Sequence, residues 1–240
     1  MIRCLFLFFS LLCSFSINAF QVEIEDPIYS SVNDKQMAVS IINSGDETIA
    51  LQVKVFERTF NQAGVEDYSK PYPLVTAFPQ NIIVSPNSTE LVTLVWNSNK
   101  MPKTEVPLRV VAKQVPIQFN SGDAPALNVM FAMVKSIYIR PENAKANIKL
   151  DSFKWQEKKQ QLTLTVDNKG NRGIIADRII LDIDGKEALI STFTDDENSV
   201  GLMNRPNLLA GEVRDISVNI DSNQFKTINK ITIKKVIQVQ

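Results

Sequence analysis

Apolar and polar residues alternate with a period of two along most of this chain, and no long stripe of helical spacing interrupts them. The first half offers "VEIE" from Val22, "MAVSII" from Met37, "TIALQVKVFERTF" from Thr48, "NIIV" from Asn81 and "TELVTLVW" from Thr89. "PLRVVAKQVPIQF" from Pro107 and "LNVMFAMVKSIYIRP", Leu127 to Pro141, complete the set. Turn signals separate these runs: "NSGDE" at Asn43, "NQAGVED" at Asn61, "SPNS" at Ser85 and "NSGDAP" at Asn120. About seven strands in roughly 120 residues is the spacing of an immunoglobulin-like sandwich. The last segment stands apart because both of its parities are largely apolar, so a second face needs a cover.

A further set follows "RPENAKAN": "IKLDSFKW" from Ile148, "QLTLTVDN" from Gln161, "IADRIILDID" from Ile175, "KEALIS" from Lys186, "EVRDISVNID" from Glu212 and "KITIKKVIQV" from Lys230. Pro141 cannot donate to a sheet and biases Arg140 toward an extended conformation, so it marks a junction. The expected architecture is all-β, with two immunoglobulin-like sandwiches in tandem. The first spans residues 20–141 and the second 142–240. Residues 1–19, "MIRCLFLFFSLLCSFSINA", carry an early Arg, an apolar run and a small residue at Ala19. That is the layout of a secretory signal peptide, and Ser10, Ser14, Ser16 and Asn18 break the run short of the ~20 residues a membrane span needs.

Composition narrows the chemistry. The chain has no histidine, and its two cysteines, Cys4 and Cys13, both lie in the expected signal peptide. The common catalytic triads, zinc sites and thiol chemistry lose their residues, so the chain is not expected to be an enzyme or to use a cofactor or metal. Formal charge is balanced at +0, which leaves no basic field for nucleic acid. "DDEN" at Asp195 reads as a solvated loop, and "DIDG" at Asp182 as an Asp-Gly hairpin turn rather than a calcium loop. "NST" at Asn87 reads as a turn before a strand, or as a glycosylation acceptor in a host that glycosylates.

The apolar strand that runs into a basic residue and then aromatic-x-Arg-Pro, with "VSPNSTELVTLVW" and "VVAKQVPI", resembles the periplasmic pilus chaperones of the chaperone–usher pathway. The likeness covers the whole expected mature chain. It implies an L-shaped pair of domains around a cleft. It also implies a function: binding pilus subunits by lending an edge strand, about residues 127–138, and delivering them to an outer-membrane usher without ATP. Leu127, Val129, Phe131 and Met133 would form the donated face, with Met130, Ala132 and Val134 facing inward. The family anchors the subunit's C-terminal carboxylate on two basic residues in the cleft. Lys135 is the nearest match to one, although alignment without a gap on Arg140-Pro141 puts that position at Ser136. The other, an Arg at the end of the first strand, has no counterpart in "VEIEDPIYSSV", and Arg109, set inside an apolar strand, is the natural replacement. Arg140, Glu105 and Asp221 would match a charge network between the domains.

That departure, with the short "NSGDAPA" connection and the lack of a cysteine pair around it, points to the non-conventional, archaic branch. The partners implied are pilus subunits and the usher, in the periplasm, with no integral membrane segment after signal cleavage. A free chaperone with an uncovered strand could also self-associate. Two other readings remain: a structural pilus subunit or adhesin, and a carbohydrate-binding sandwich module built on exposed aromatics.

Overall fold

The computed structural model describes residues 20–30, 35–116, 130–192, 205–220 and 225–238. The expected signal peptide, Leu127, Val129, the "DDEN" loop and Asp221 lie outside them.

The first eleven strands are β1 (Phe20–Glu23), β2 (Ile28–Tyr29), β3 (Gln36–Asn43), β4 (Ile49–Glu57), β5 (Thr59–Phe60), β6 (Glu66–Asp67), β7 (Val75–Phe78), β8 (Asn81–Val84), β9 (Ser88–Trp96), β10 (Val106–Val115) and β11 (Ala132–Ile139). They form a four-stranded sheet in the order β1-β3-β9-β7 and a five-stranded sheet in the order β2-β11-β10-β4-β8. Alternate residues from both sheets meet in one core. Val39 and Ile41 of β3, Leu51 and Val53 of β4, Val92 and Leu94 of β9, and Leu108 and Val110 of β10 are all buried in it. Trp96 closes one end, its ring 6.4 Å from Tyr72 and nearly parallel to it. A strand that shows its core one apolar face and one polar face fixes its own register, because a one-residue slip would turn every side chain round.

Seven more strands follow: β12 (Ile148–Gln156), β13 (Gln161–Asn168), β14 (Ile174–Ile183), β15 (Lys186–Ser191), β16 (Asn207–Leu208), β17 (Val213–Asn219) and β18 (Ile231–Gln238). β12, β13 and β17 make one sheet. The other is built round β14, which pairs with β15, β16 and β18. Their second core gathers Leu162, Leu164, Ile179, Leu181, Ile183 and Ile216. Residues between Ile139 and Ile148 belong to neither core. The two Trp residues serve different cores, Trp96 in the first and Trp155 against the second. The Asp-Gly turn is present: Ile183 pairs with Lys186, and Asp184 and Gly185 between them both take positive φ, as a two-residue hairpin loop of this kind demands.

One device recurs in both sandwiches. Asn43 ends β3 and Asn168 ends β13, and both are buried. Asn43 donates its amide to the carbonyls of Glu47, Val84 and Ser85 and accepts from the Gly45 N–H. Asn168 donates to the carbonyls of Arg172 and Leu208 and accepts from the N–H groups of Asn147 and Gly170. Each side chain satisfies backbone groups that would otherwise be buried without partners where a strand leaves its sheet. Asn168→Ala removes these bonds at once. We expect it to lower unfolding free energy by about 1–3 kcal/mol in urea titration, and a loss within a few tenths would show that water replaces the amide.

Candidate functional site

The chain "VFERTF" carries the site's first arginine. β4 stops at Glu57, and Arg58 interrupts the ladder before the short hairpin of β5 and β6. Glu57 pairs with Leu108 and Phe56 with Arg109, so Arg58 and Arg109 sit at the same end of adjacent strands. The hairpin folds back and places Glu66 between them. Arg109 grips this carboxylate with two nitrogens, Nε to Oε1 at 2.5 Å and Nη2 to Oε2 at 2.7 Å. Arg58 Nε reaches the same Oε1 at 2.7 Å. A bidentate Arg109 fork and a single Arg58 Nε bond on one carboxylate form a strong, geometrically specific arrangement.

Their remaining donors turn to β11. Arg109 Nη1 donates to Ser136 Oγ at 2.6 Å, and Arg58 Nη1 to Tyr138 Oη at 3.1 Å. Tyr138 Oη also accepts from Asn207 Nδ2 of the second sandwich, at 3.2 Å. The Phe60 ring takes cation–π contacts from two guanidinium groups, Arg58 at 4.8 Å and Arg214 of the second sandwich at 4.3 Å from its centre. The hairpin tip is tied across as well. Phe60 N–H donates to Glu212 Oε1, Gln62 Nε2 to Asp215 Oδ1, and Asp215 N–H to the Gln62 carbonyl. Gly64, with φ of 89°, lets Arg214 lie against the hairpin backbone, where a Cβ would meet its Nη2 at 2.6 Å.

A cavity of about 510 Å³ opens here, lined by Arg58, Arg109, Arg205 and Arg214 with Glu66 and Asp215. Burial alone would raise the Glu66 carboxyl, but the Arg109 hydrogen bond and the charges of Arg58 and Arg109 outweigh it and hold it below its ordinary value. Burial pushes Glu212 up despite the Phe60 N–H and Arg214 beside it, and burial pushes Arg214 down despite Glu212.

The outer edge of β11 runs away from this cluster. β10 pairs with β11 without a break from Val106–Ile139 to Lys113–Ala132. The Gln114 N–H donates to the Phe131 carbonyl, which sets the odd-numbered residues of β11 to bond toward β10. The even-numbered ones point outward: Tyr138 N–H donates to Pro27 and Arg140 N–H to Tyr29. β2 covers that outer edge only at Tyr138 and Ile139. Among the described residues, no strand pairs with it at Ala132, Val134 or Ser136. Beyond β11, Met130 is 51% and Phe131 43% exposed.

Several expectations need correction. Lys135 and Arg109 are not brought together. Arg109 lies opposite Ser136, and Lys135, one residue on, lies opposite Val110 with its side chain on the other face and exposed. Alternation makes a one-residue shift a change of face, so Ser136 and not Lys135 is the β11 residue beside Arg109. Ala132 and Val134 do not face the core. Met133 does, packed against the first core in line with buried Ile137 and Ile139. Arg140 and Glu105 do meet. Arg140 Nε donates to Glu105 Oε2, while Gly173 N–H of the second sandwich donates to Oε1 at 2.9 Å. The Glu105 side chain is only 1% exposed. Reasoning from sequence missed Arg58, Glu66, Tyr138, Asn207 and Arg214. The adjacent charges Glu57-Arg58 inside an apolar run were the available signal for the first.

Structures of known proteins share this architecture. The class 5 fimbriae chaperone CfaA superposes with a TM-score of 0.57 at 16% identity, covering 92% of this chain and 93% of CfaA. The chain has the fold of the fimbrial chaperones. The Escherichia coli chaperone DraB matches with a TM-score of 0.53 at 15% identity, over 93% of this chain and 96% of its own. The chaperone–tip adhesion subunit pre-assembly complex CsuC–CsuE, from the archaic chaperone–usher Csu pili of Acinetobacter baumannii, matches with a TM-score of 0.53 at 13% identity, over 85% and 91%. No family model and no curated protein sequence matches the chain. Among the described residues, no helix is long and apolar enough to cross a membrane, and no group of three or more acidic, His or Cys residues could hold a metal.

Two outcomes check the electrostatics. The folded Glu66 value is depressed, so the stability it confers is present above the ordinary carboxylate range and lost as pH falls through the depressed value. The melting temperature of wild type should therefore exceed that of Glu66→Gln at pH 7, with the gap closing below about pH 4.5; a gap unchanged at pH 2 would contradict this. Arg140→Ala leaves Glu105 buried with one fewer partner and should cost about 3–5 kcal/mol in urea unfolding. Arg140→Ala with Glu105→Ala should cost less than Arg140→Ala alone.

Proposed function

We propose that this chain is a periplasmic chaperone for pilus subunits. The observation that carries it is the outer edge of β11. Among the described residues it is an unpaired run of backbone N–H and C=O groups, with exposed Met130 and Phe131 at one end and the Arg58–Arg109 pair at the other. An open edge templates pairing with another strand, and a chain held against it acquires main-chain bonds and pockets for alternate side chains. The CsuC–CsuE complex, a chaperone with a tip adhesion subunit, supports a subunit as the partner.

The register changes how donation is read. Leu127, Val129, Phe131 and Met133 share the parity of Ile137 and Ile139, which fill the chaperone's own core. Of these, Met133 packs against that core itself, so donation would draw on the core-face parity of β11. Client side chains would extend this core. Each apolar group buried there contributes about 1.5–3 kcal/mol before association costs. Arg58 and Arg109 take the client's terminal carboxylate and set the register, with Lys135 outside this pair. Domain boundaries at 20–141 and 142–240, with Arg140–Glu105 fixing the junction and Asp221 a candidate third member, suit the same reading. So do export by residues 1–19, delivery to an outer-membrane usher, and placement in the archaic branch, which the CsuC likeness favours.

A carbohydrate-binding module is less favoured, since Trp96 is buried and Trp155 packs on the second core. Co-expression with a subunit encoded beside this gene tests the proposal. Phe131→Asp, at an exposed position, should leave the chaperone folded and reduce recovered complex at least ~10-fold on gel filtration, as loss of one buried apolar side chain plus burial of a charge requires. Full recovery of complex would refute strand donation.

A further inference from the structure

The two-arginine anion site of the cleft is already filled by the molecule itself. Glu66 presents its two oxygens to Arg109 and one of them to Arg58. A terminal carboxylate of another chain would need these same two arginines. The arginines bring two positive charges against one from Glu66, and Ser136, at the end of the open edge, is already bonded to Arg109.

We propose that Glu66 is a built-in stand-in for the client's C-terminal carboxylate, holding Arg58 and Arg109 in the free chaperone and giving them up when a client is seated. This rests on the reading of Arg58 and Arg109 as the anchor. The stand-in does three things. It keeps two guanidinium groups, only 8% and 18% exposed, from lying side by side without an anion. It fixes their planes in the orientation that a carboxylate needs, so the incoming group meets a preorganised site. It also makes capture selective, since a ligand with a neutral end cannot take over the ion pairs that Glu66 must surrender.

The exchange asks for little movement. The hairpin carrying Glu66 is tied to the second sandwich through Phe60, Gln62 and Asp215, none of which involves the Glu66 side chain. Rotation of one carboxylate into the cavity beside it is sufficient, and that cavity, about 510 Å³, is lined by Arg205 and Arg214 as further cations.

The test uses purified full-length mature chaperone and the tripeptide acetyl-Gly-Gly-Ala, as the free acid and as its C-terminal amide, followed by NMR of the arginine Nε–Hε signals. Glu66→Gln keeps the shape and removes the charge. It should bind the acid at least ~10-fold more tightly than wild type and leave the amide unchanged. Glu66→Asp, too short to span both arginines, should move in the same direction and serves if the Gln variant folds poorly. Acid binding that is equal or weaker in both variants, while Arg58→Ala or Arg109→Ala still abolishes it, would overturn the stand-in and leave the anchor standing. Acid binding indifferent to both arginine substitutions would overturn the anchor, and the stand-in with it.

Discussion

A single carboxylate gripped by two arginines at the end of an open strand edge is the contact on which this molecule's organisation turns. Glu66 draws Arg58 and Arg109 together, and through them Ser136 and Tyr138 of β11. Without an anion there, two guanidinium groups would face one another in a half-buried cleft, a costly arrangement. The same cluster joins the halves of the chain. Tyr138 meets Asn207, and the hairpin that delivers Glu66 is bonded to Glu212 and Asp215. Electrostatic site and interdomain joint are one structure, with the Arg140–Glu105–Gly173 chain as a second, separate tie.

The apolar side of the design is equally economical. β11 turns Met133, Ile137 and Ile139 toward the first core, with exposed Lys135 interrupting that face, and sends its even-numbered amides outward. An edge of this kind is normally a hazard that proteins cover or blunt. Here β2 pairs with the outer edge at two positions, and among the described residues no strand pairs with the rest of it. An open edge beside a two-arginine cluster is the arrangement on which the proposed chaperone role rests.

Much of this was legible in the sequence because strands of period two announce themselves. Ten of the expected runs, from "MAVSII" to "KITIKKVIQV", coincide with observed strands to within a few residues. What escaped was non-local. The two-residue strands Ile28–Tyr29 and Asn207–Leu208 exist only because a neighbouring strand supplies the ladder. Arg109 was recognisable as a charge inside an apolar strand. Arg58 was hidden in "TIALQVKVFERTF", read as one strand where the chain breaks and turns. Glu66 was read as part of a polar turn, since nothing local says that a hairpin will fold back onto two arginines from other strands. Lys135 drew attention by its charge, while the register gave its place in the cluster to Ser136.

Residue-resolved amide hydrogen exchange on the free and client-bound chaperone reports whether a client strand pairs along the outer edge of β11. The geometry predicts new protection at the outward-facing amides of Ala132, Val134 and Ser136, with little change at Met133, Lys135 and Ile137, whose amides already face β10. A complex in which those three outward amides exchange as fast as in the free protein would contradict the account.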